Sequence, residues 1–260
     1  MDNDFIFHIR KSVIVSLVIK IGLVIAILGI IGTFVFFNLN SDKPKIEDRN
    51  DKKVSQNTDE PPLKLKSIGV EFSDFKFTKE KLQFNRLFMG YGFVIPGSTS
   101  STGKDKSNPQ PTYIVPLGTK VRSIVDGVVA AMPTLWSGDF SIQVTQDGKM
   151  QKWIYETEHL INPQVKKGDK VTAGQIVGEV SDFNNGAPPG YGAVEIGILK
   201  GGQKPEHVCP FAYLDDSIKE ETFTNFRNLF KNWEKYIGNT SLYDESLPIP
   251  GCLTLNPIEG

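Results

Sequence analysis

From Val13 to Phe37 the chain is apolar on every side, and VIVSLVIKIGLVIAILGIIGTFVFF holds Lys20 as its only charge. About 20 apolar residues in a helix cover the hydrocarbon core of a bilayer, so this stretch predicts a transmembrane helix. A secretory signal peptide would carry a shorter apolar region, roughly 7 to 15 residues, closed by small residues. Here the run ends FVFFNLN, which favours an uncleaved anchor. Apolar positions on all faces argue against a helix buried by one face only. The pattern then changes. Residues 38–64 mix acids and bases with almost no apolar positions, which predicts a disordered linker.

From Leu63 the apolar positions alternate over short runs, as in LKLKSIGVEFSDFKF, and predict strands. Gly97 to Pro111 (GSTSSTGKDKSNPQP) reads as a polar, flexible loop. Thr112 to Leu199 reads as consecutive short strands: TYIVPL, KVRSIVDGVVAAM, FSIQVTQ, KMQKWIYE and AVEIGIL. Asp147-Gly148 between two of these runs is a hairpin signal. Toward the C-terminus, Ser217 with Glu220 makes a capping box. Phe223, Phe226, Leu229, Phe230, Trp233 and Tyr236 then recur at helical spacing, and Gly238 marks the stop. This predicts an amphipathic helix of about 20 residues whose aromatic stripe is a packing face. The expected organisation is a short cytoplasmic segment (1–12), an anchor (13–37), a linker (38–64), a mainly β domain of antiparallel hairpins (65–215), and a C-terminal helix and tail (216–260).

Composition narrows the function. The 260 residues carry a net charge of −1, with no basic stripe or interleaved aromatics, so no nucleic-acid partner is expected. Arg10 and Lys11 precede the span, while Lys43, Lys45, Arg49, Lys52 and Lys53 follow it, and a plain count would put the C-terminal side in the cytoplasm. The histidines are His8, His159 and His207. His8 lies before the span, which leaves two for any site beyond it.

Two segments carry a family signature, PLGTKVRSIVDGVVAAM at Pro116–Met132 and VKKGDKVTAGQIVGEV at Val165–Val180. With His159-Leu160, Val194-Glu195-Ile196 and the later CPFAYL, they resemble the lysostaphin-type (LytM-like) zinc endopeptidases, the family with the duplicated hybrid motif. The resemblance covers residues 87–214. It implies a duplicated-hairpin, barrel-sandwich-like antiparallel β fold and a groove that cuts peptide cross-links of bacterial cell walls. Position by position, the family's ligands are replaced. Asn108 stands at the first His and Thr112 at the Asp, while Tyr191 and Ala193 stand where H-x-H is expected before Glu195. Amide and hydroxyl groups are poor zinc ligands, and alanine offers no donor. Only His159 matches, inside YETEHL.

The resemblance therefore implies a degenerate member with no catalytic residues, no bound metal and no cofactor. Its groove would be formed by Asn108, Thr112, His159, Tyr191 and Glu195, and its partner would be peptidoglycan or a cell-wall protein. One alternative is an active zinc endopeptidase with displaced ligands, drawn from His159, His207, Glu158, Glu195 and Glu206. Another is a purely structural or assembly role. His207, in KPEHVCP, is expected to face solvent. Trp136 and Phe140, in TLWSGDF, are either ligand contacts or a cover for the hairpin end. Biotinyl and lipoyl carriers share VKKGDKVTAGQ, but there the segment precedes the modified lysine, whereas here it follows Lys149.

The resemblance and the paired cysteines place the domain outside the cytoplasmic membrane, against the charge count. In that compartment Cys209 and Cys252 are a disulfide candidate, closing a loop of about 42 residues worth roughly 4 kcal/mol. Two buried thiols are the alternative. Neither cysteine has a second ligand at CxxC spacing, which argues against a zinc site there.

Overall fold

Most of the strands are short and share one sheet. The computed structural model describes residues 59–100, 102–183 and 187–260. The expected anchor at 13–37 and most of the linker lie outside the described residues. Among those described, no helix is long and apolar enough to cross a membrane. All of them fall in one unit, Asn57–Gly260.

The strands are β1 (Phe88–Met89), β2 (Val94–Ile95), β3 (Lys106–Ser107), β4 (Thr112–Pro116), β5 (Lys120–Arg122), β6 (Gly127–Ala131) and β7 (Phe140–Thr145). They continue with β8 (Trp153–Ile161), β9 (Lys170–Val171), β10 (Ile176–Val180), β11 (Tyr191–Lys200), β12 (Glu206–Val208) and β13 (Ile258–Glu259). One helix, α1 (Asp216–Ile237), follows β12 in sequence. Eleven strands form an antiparallel sheet along β1-β4-β11-β8-β7-β6-β9, with β10 joining β5 to β8 and β12 joining β11 to β13. The mainly β, hairpin-built expectation holds. The two long strands, β8 and β11, lie side by side at its centre, Glu195 opposite Glu158.

The hairpin after β7 forms, but later than the sequence pattern placed it. Residues 146–152 make the turn, Gly148 taking φ +77°, and β8 starts only at Trp153. The start of α1 also differs. Asp215, not Ser217, caps it, accepting from Ser217 N at 3.0 Å. A carboxylate at the N-cap answers an unpaired N–H and the positive end of the helix together. Gly238 ends α1 in the left-handed conformation, φ +74°.

Residues 63–77 are not the strands that their alternation suggested. Leu65 makes a single parallel bridge to Leu214, and Phe72–Asp74 is a 3-10 turn. Their aromatics pack on the helix instead. Phe72 meets Phe226 edge-on at 5.0 Å, and Phe77 meets Trp233 at 5.4 Å. The expected packing face of α1 is thereby buried. Phe88 is central to it, with rings of Tyr113, Phe211, Phe226 and Phe230 within 6.0 Å. Burying one large apolar side chain contributes about 1.5–3 kcal/mol, so this cluster fastens helix to sheet.

The polar segment 102–111 is likewise more ordered than its composition implied. β3 pairs with β2, and Asn108 through Pro111 are buried. The tail is held by a Cys209–Cys252 disulfide, with Cα atoms 5.9 Å apart. Beside it, Tyr91 N donates to Gly251 O and Leu253 N to Tyr91 O, both at 2.9 Å.

Candidate functional site

The site is built by an irregularity in the central hairpin. On β8, Thr157 faces Ile142 of β7, and Leu160 faces Phe140. Two residues, Glu158 and His159, therefore stand against Ser141 alone. His159 takes φ +66°, a conformation rare outside glycine. In a regular strand these neighbours would point to opposite faces. A bulge re-aims one of them, and here both reach the same cleft. That cleft has a volume of about 490 Å³, and Glu158, His159 and Glu195 line it with Asn108, Trp136 and Phe183.

His159 is fixed from several sides. Its Nδ1 lies 3.0 Å from Asp139 Oδ2, and its ring stacks on Phe183 at 3.5 Å, 9° from parallel. Its carbonyl accepts from Ser181 N at 2.9 Å. Asp139 is buried and accepts from the hydroxyls of Ser137 and Ser181. Burial pushes its carboxyl up, but those hydroxyls and His159 outweigh this and hold it below the usual range. Burial lowers the pKa of His159, with Asp139 opposing. An ionised Asp139 keeps the hydrogen on Nδ1 and turns Nε2 toward the cleft, 3.9 Å from Glu195 Oε2.

The two glutamates oppose each other electrostatically. Burial raises Glu195 to about 7, and the Glu158 charge adds to it, while Thr112 and Lys106 pull down. Burial likewise raises Glu158 to about 7, with Glu156 reinforcing the shift. Ligand atoms from Glu158, His159 and Glu195 all lie within 4.8 Å of one another. One imidazole and two carboxylates converging on one point form a donor set for a proton or a divalent cation.

The expected groove residues divide. Asn108 Nδ2 donates to Thr112 Oγ1 at 3.3 Å, and Thr112 Oγ1 lies 3.1 Å from Glu195 Oε1. These three and His159 form one neighbourhood. Tyr191 stands apart, four residues back along β11 opposite Pro116, with its hydroxyl 3.4 Å from Lys76 O. Ala193 is fully buried opposite Ile114, and the residue directly across from Thr112 is Glu195.

His207 does not face solvent. It is buried on β12, Nε2 lying 2.8 Å from Glu156 Oε1, which Gln110 also reaches at 3.1 Å. Glu206, its neighbour on β12, pairs with Glu259 of β13. Trp136 is 87% exposed and meets Phe183 edge-on, so it forms the cleft's outer wall. Phe140 opens β7 and bridges back to Thr134. Asp139 and Phe183 were not singled out from sequence. The β7–β8 register, with Val144 opposite Tyr155, is the signal that brings Asp139 near His159.

The chain is similar in structure to the catalytic domain of a mutant prophage-encoded M23 protein EnpA from Enterococcus faecalis, 27% identical over 40% of this chain and 77% of that one, TM-score 0.32. It is also similar to the catalytic domain of lysostaphin from Staphylococcus simulans, 21% identical over 44% and 78%, TM-score 0.34. For LytU the figures are 19% over 62% and 92%, TM-score 0.36. No protein-family model matches the chain, and no curated protein sequence does.

Proposed function

We propose that this chain is a degenerate LytM-type peptidase, a membrane-anchored envelope domain whose cleft binds peptidoglycan or a wall protein without zinc catalysis. The observation that supports the reading is the state of the three positions that the resemblance assigns to zinc ligands. Asn108 and Thr112 are bonded to each other and Thr112 to Glu195, while Ala193 is a buried methyl with no donor. That set does not fit zinc, which takes imidazole, thiolate and carboxylate groups. The cleft itself persists, with a stacked His159–Phe183 pair and exposed Trp136 as surfaces for an extended peptide or sugar. The Cys209–Cys252 bond supports placement outside the cytoplasm, since disulfides persist in oxidising compartments. The anchor rests on residues 13–37 and their apolar pattern.

The test is co-sedimentation of the purified chain with peptidoglycan sacculi. Retention should fall at least fivefold in Phe183→Ala and Trp136→Ala, with no fragments released by the parent chain. Retention indifferent to both changes would favour the structural role instead.

One observation favours a second reading. Glu158, His159 and Glu195 converge, and Asp139 holds the far nitrogen of His159 as outer carboxylates hold metal-bound histidines. A divalent metal bound there would supply Lewis acidity. The chain's own part would be limited to Asp139 orienting the imidazole and Thr112 orienting Glu195.

A further inference from the structure

Away from the cleft, the chain has a cavity of about 250 Å³ between β1, the end of α1 and the disulfide-held tail. Its walls are Phe88, Phe93, Phe230, Leu247 and Leu253, and its one cation is Arg86. The guanidinium lies between two rings, 4.9 Å from the centroid of Phe93 and 4.8 Å from that of Tyr243. Contacts on its faces leave the N–H groups on its edge for partners in the plane. Burial lowers its pKa, with Tyr243 and Glu234 opposing. Arg86 enters none of the ion pairs among the described residues.

Each of the acids nearby has one oxygen bonded to the chain around it. Glu234 Oε1 accepts from Leu242 N and Tyr243 N at 2.7 and 2.9 Å. Asp244, at the rim, accepts from Ser246 N and Oγ. A guanidinium has five donors in a planar fork that matches a carboxylate. A half-buried one whose nearest acid, Glu234, acts on it only beyond contact distance bears a desolvation cost that such a ligand would offset. Stacking on two rings positions the group but does not satisfy its fork.

We propose that this cavity binds a carboxylate carried on an apolar body the size of one terminal amino-acid residue, with Arg86 gripping the carboxylate and Phe88, Phe230, Leu247 and Leu253 enclosing the rest. Free peptide C-termini and small apolar acids share this chemistry. The site is independent of the cleft and of the function proposed for it.

The test titrates the purified full chain with N-acetyl-phenylalanine, its amide, acetyl-Ala-Ala-Phe and octanoate, read by calorimetry. The free acids should saturate one site, the amide at least tenfold more weakly. Arg86→Gln should lose at least tenfold, and Arg86→Lys should fall between, because it keeps charge without the fork. Leu247→Trp, which fills the cavity from its lining, should abolish binding and serves as the readout if Arg86→Gln fails to fold. Tighter binding of the tripeptide than of N-acetyl-phenylalanine would assign the source to peptide termini, and tighter binding of octanoate to free acids. No saturable binding, equal binding of acid and amide, or affinity unchanged in both Arg86→Gln and Leu247→Trp would overturn the proposal.

Discussion

Asp139 holds His159 across the β7–β8 hairpin, Oδ2 lying 3.0 Å from Nδ1, and both side chains are buried. Each partner is held in turn by its neighbours. Ser137 and Ser181 orient the carboxylate, and Phe183 fixes the plane of the ring. The imidazole is thus set before any ligand arrives.

Asp139→Asn should test that hold. Hydrogen bonds to a charged group contribute about 1.5–3 kcal/mol, so the variant should lose roughly that much stability in urea unfolding. Asp139 raises the pKa of His159 against burial, so its loss should shift the imidazole titration further down. An NMR titration with no downward shift would contradict the pairing.

Glu158 and Glu195 make stability depend on pH. Their folded pKa values, about 7, lie above the ordinary 4.5, so the fold favours their protonated forms. Their contribution is fully present below pH 4.5 and is lost as pH rises through 7. Asp139, shifted the other way, acts only below the ordinary carboxylate range. His159, whose pKa burial lowers, opposes this around pH 6, but two carboxylates outweigh one imidazole, so stability should fall between pH 5 and 8, and Glu158→Gln with Glu195→Gln should flatten that slope. A parent chain equally stable at both pH values would contradict the opposed-carboxylate picture.

Phe226→Ala should cost about 3–5 kcal/mol, the usual range for deleting a buried aromatic ring. It removes the ring that meets Phe72, Phe88 and Phe211 at once. Chemical denaturation should show a lower midpoint with one transition. A loss under 1 kcal/mol would mean that α1 is not fastened through this cluster.

Cys209→Ser should destabilise by about 4 kcal/mol in the chain-entropy model. The bond spans 43 positions and ties the tail to the segment after β12. Reducing the parent chain with dithiothreitol should lower its melting temperature to that of the variant. An unchanged melting temperature would show that the tail is held by Tyr91 and its neighbours alone.

Local patterns carried much of the fold. The strands from Thr112 onward, the helix and its aromatic stripe all follow from periodicity that burial then rewards. Segment 63–77 misled because alternating aromatics serve a strand or an aromatic cluster equally well, and their partners, Phe226 and Trp233, lie some 150 residues away. The buried His207 was hidden for the same reason, since its partner Glu156 sits 51 positions earlier. The cleft was legible in its types but not in its geometry. Asn108, Thr112, His159 and Glu195 meet, whereas Tyr191, four residues from Glu195 along an extended strand, cannot join them. A bulge leaves no mark in composition, so nothing in YETEHL announced that Glu158 and His159 would share one side.

If the zinc positions are lost and the cleft acts by binding, the purified chain carries no zinc. Elemental analysis of the purified full chain, prepared with zinc present, tests it most directly, with Glu195→Gln alongside. Less than about one zinc in ten chains, equal in both proteins, is the result this account predicts. One zinc per chain in the parent, lost in Glu195→Gln, would contradict it and place the metal on Glu158, His159 and Glu195.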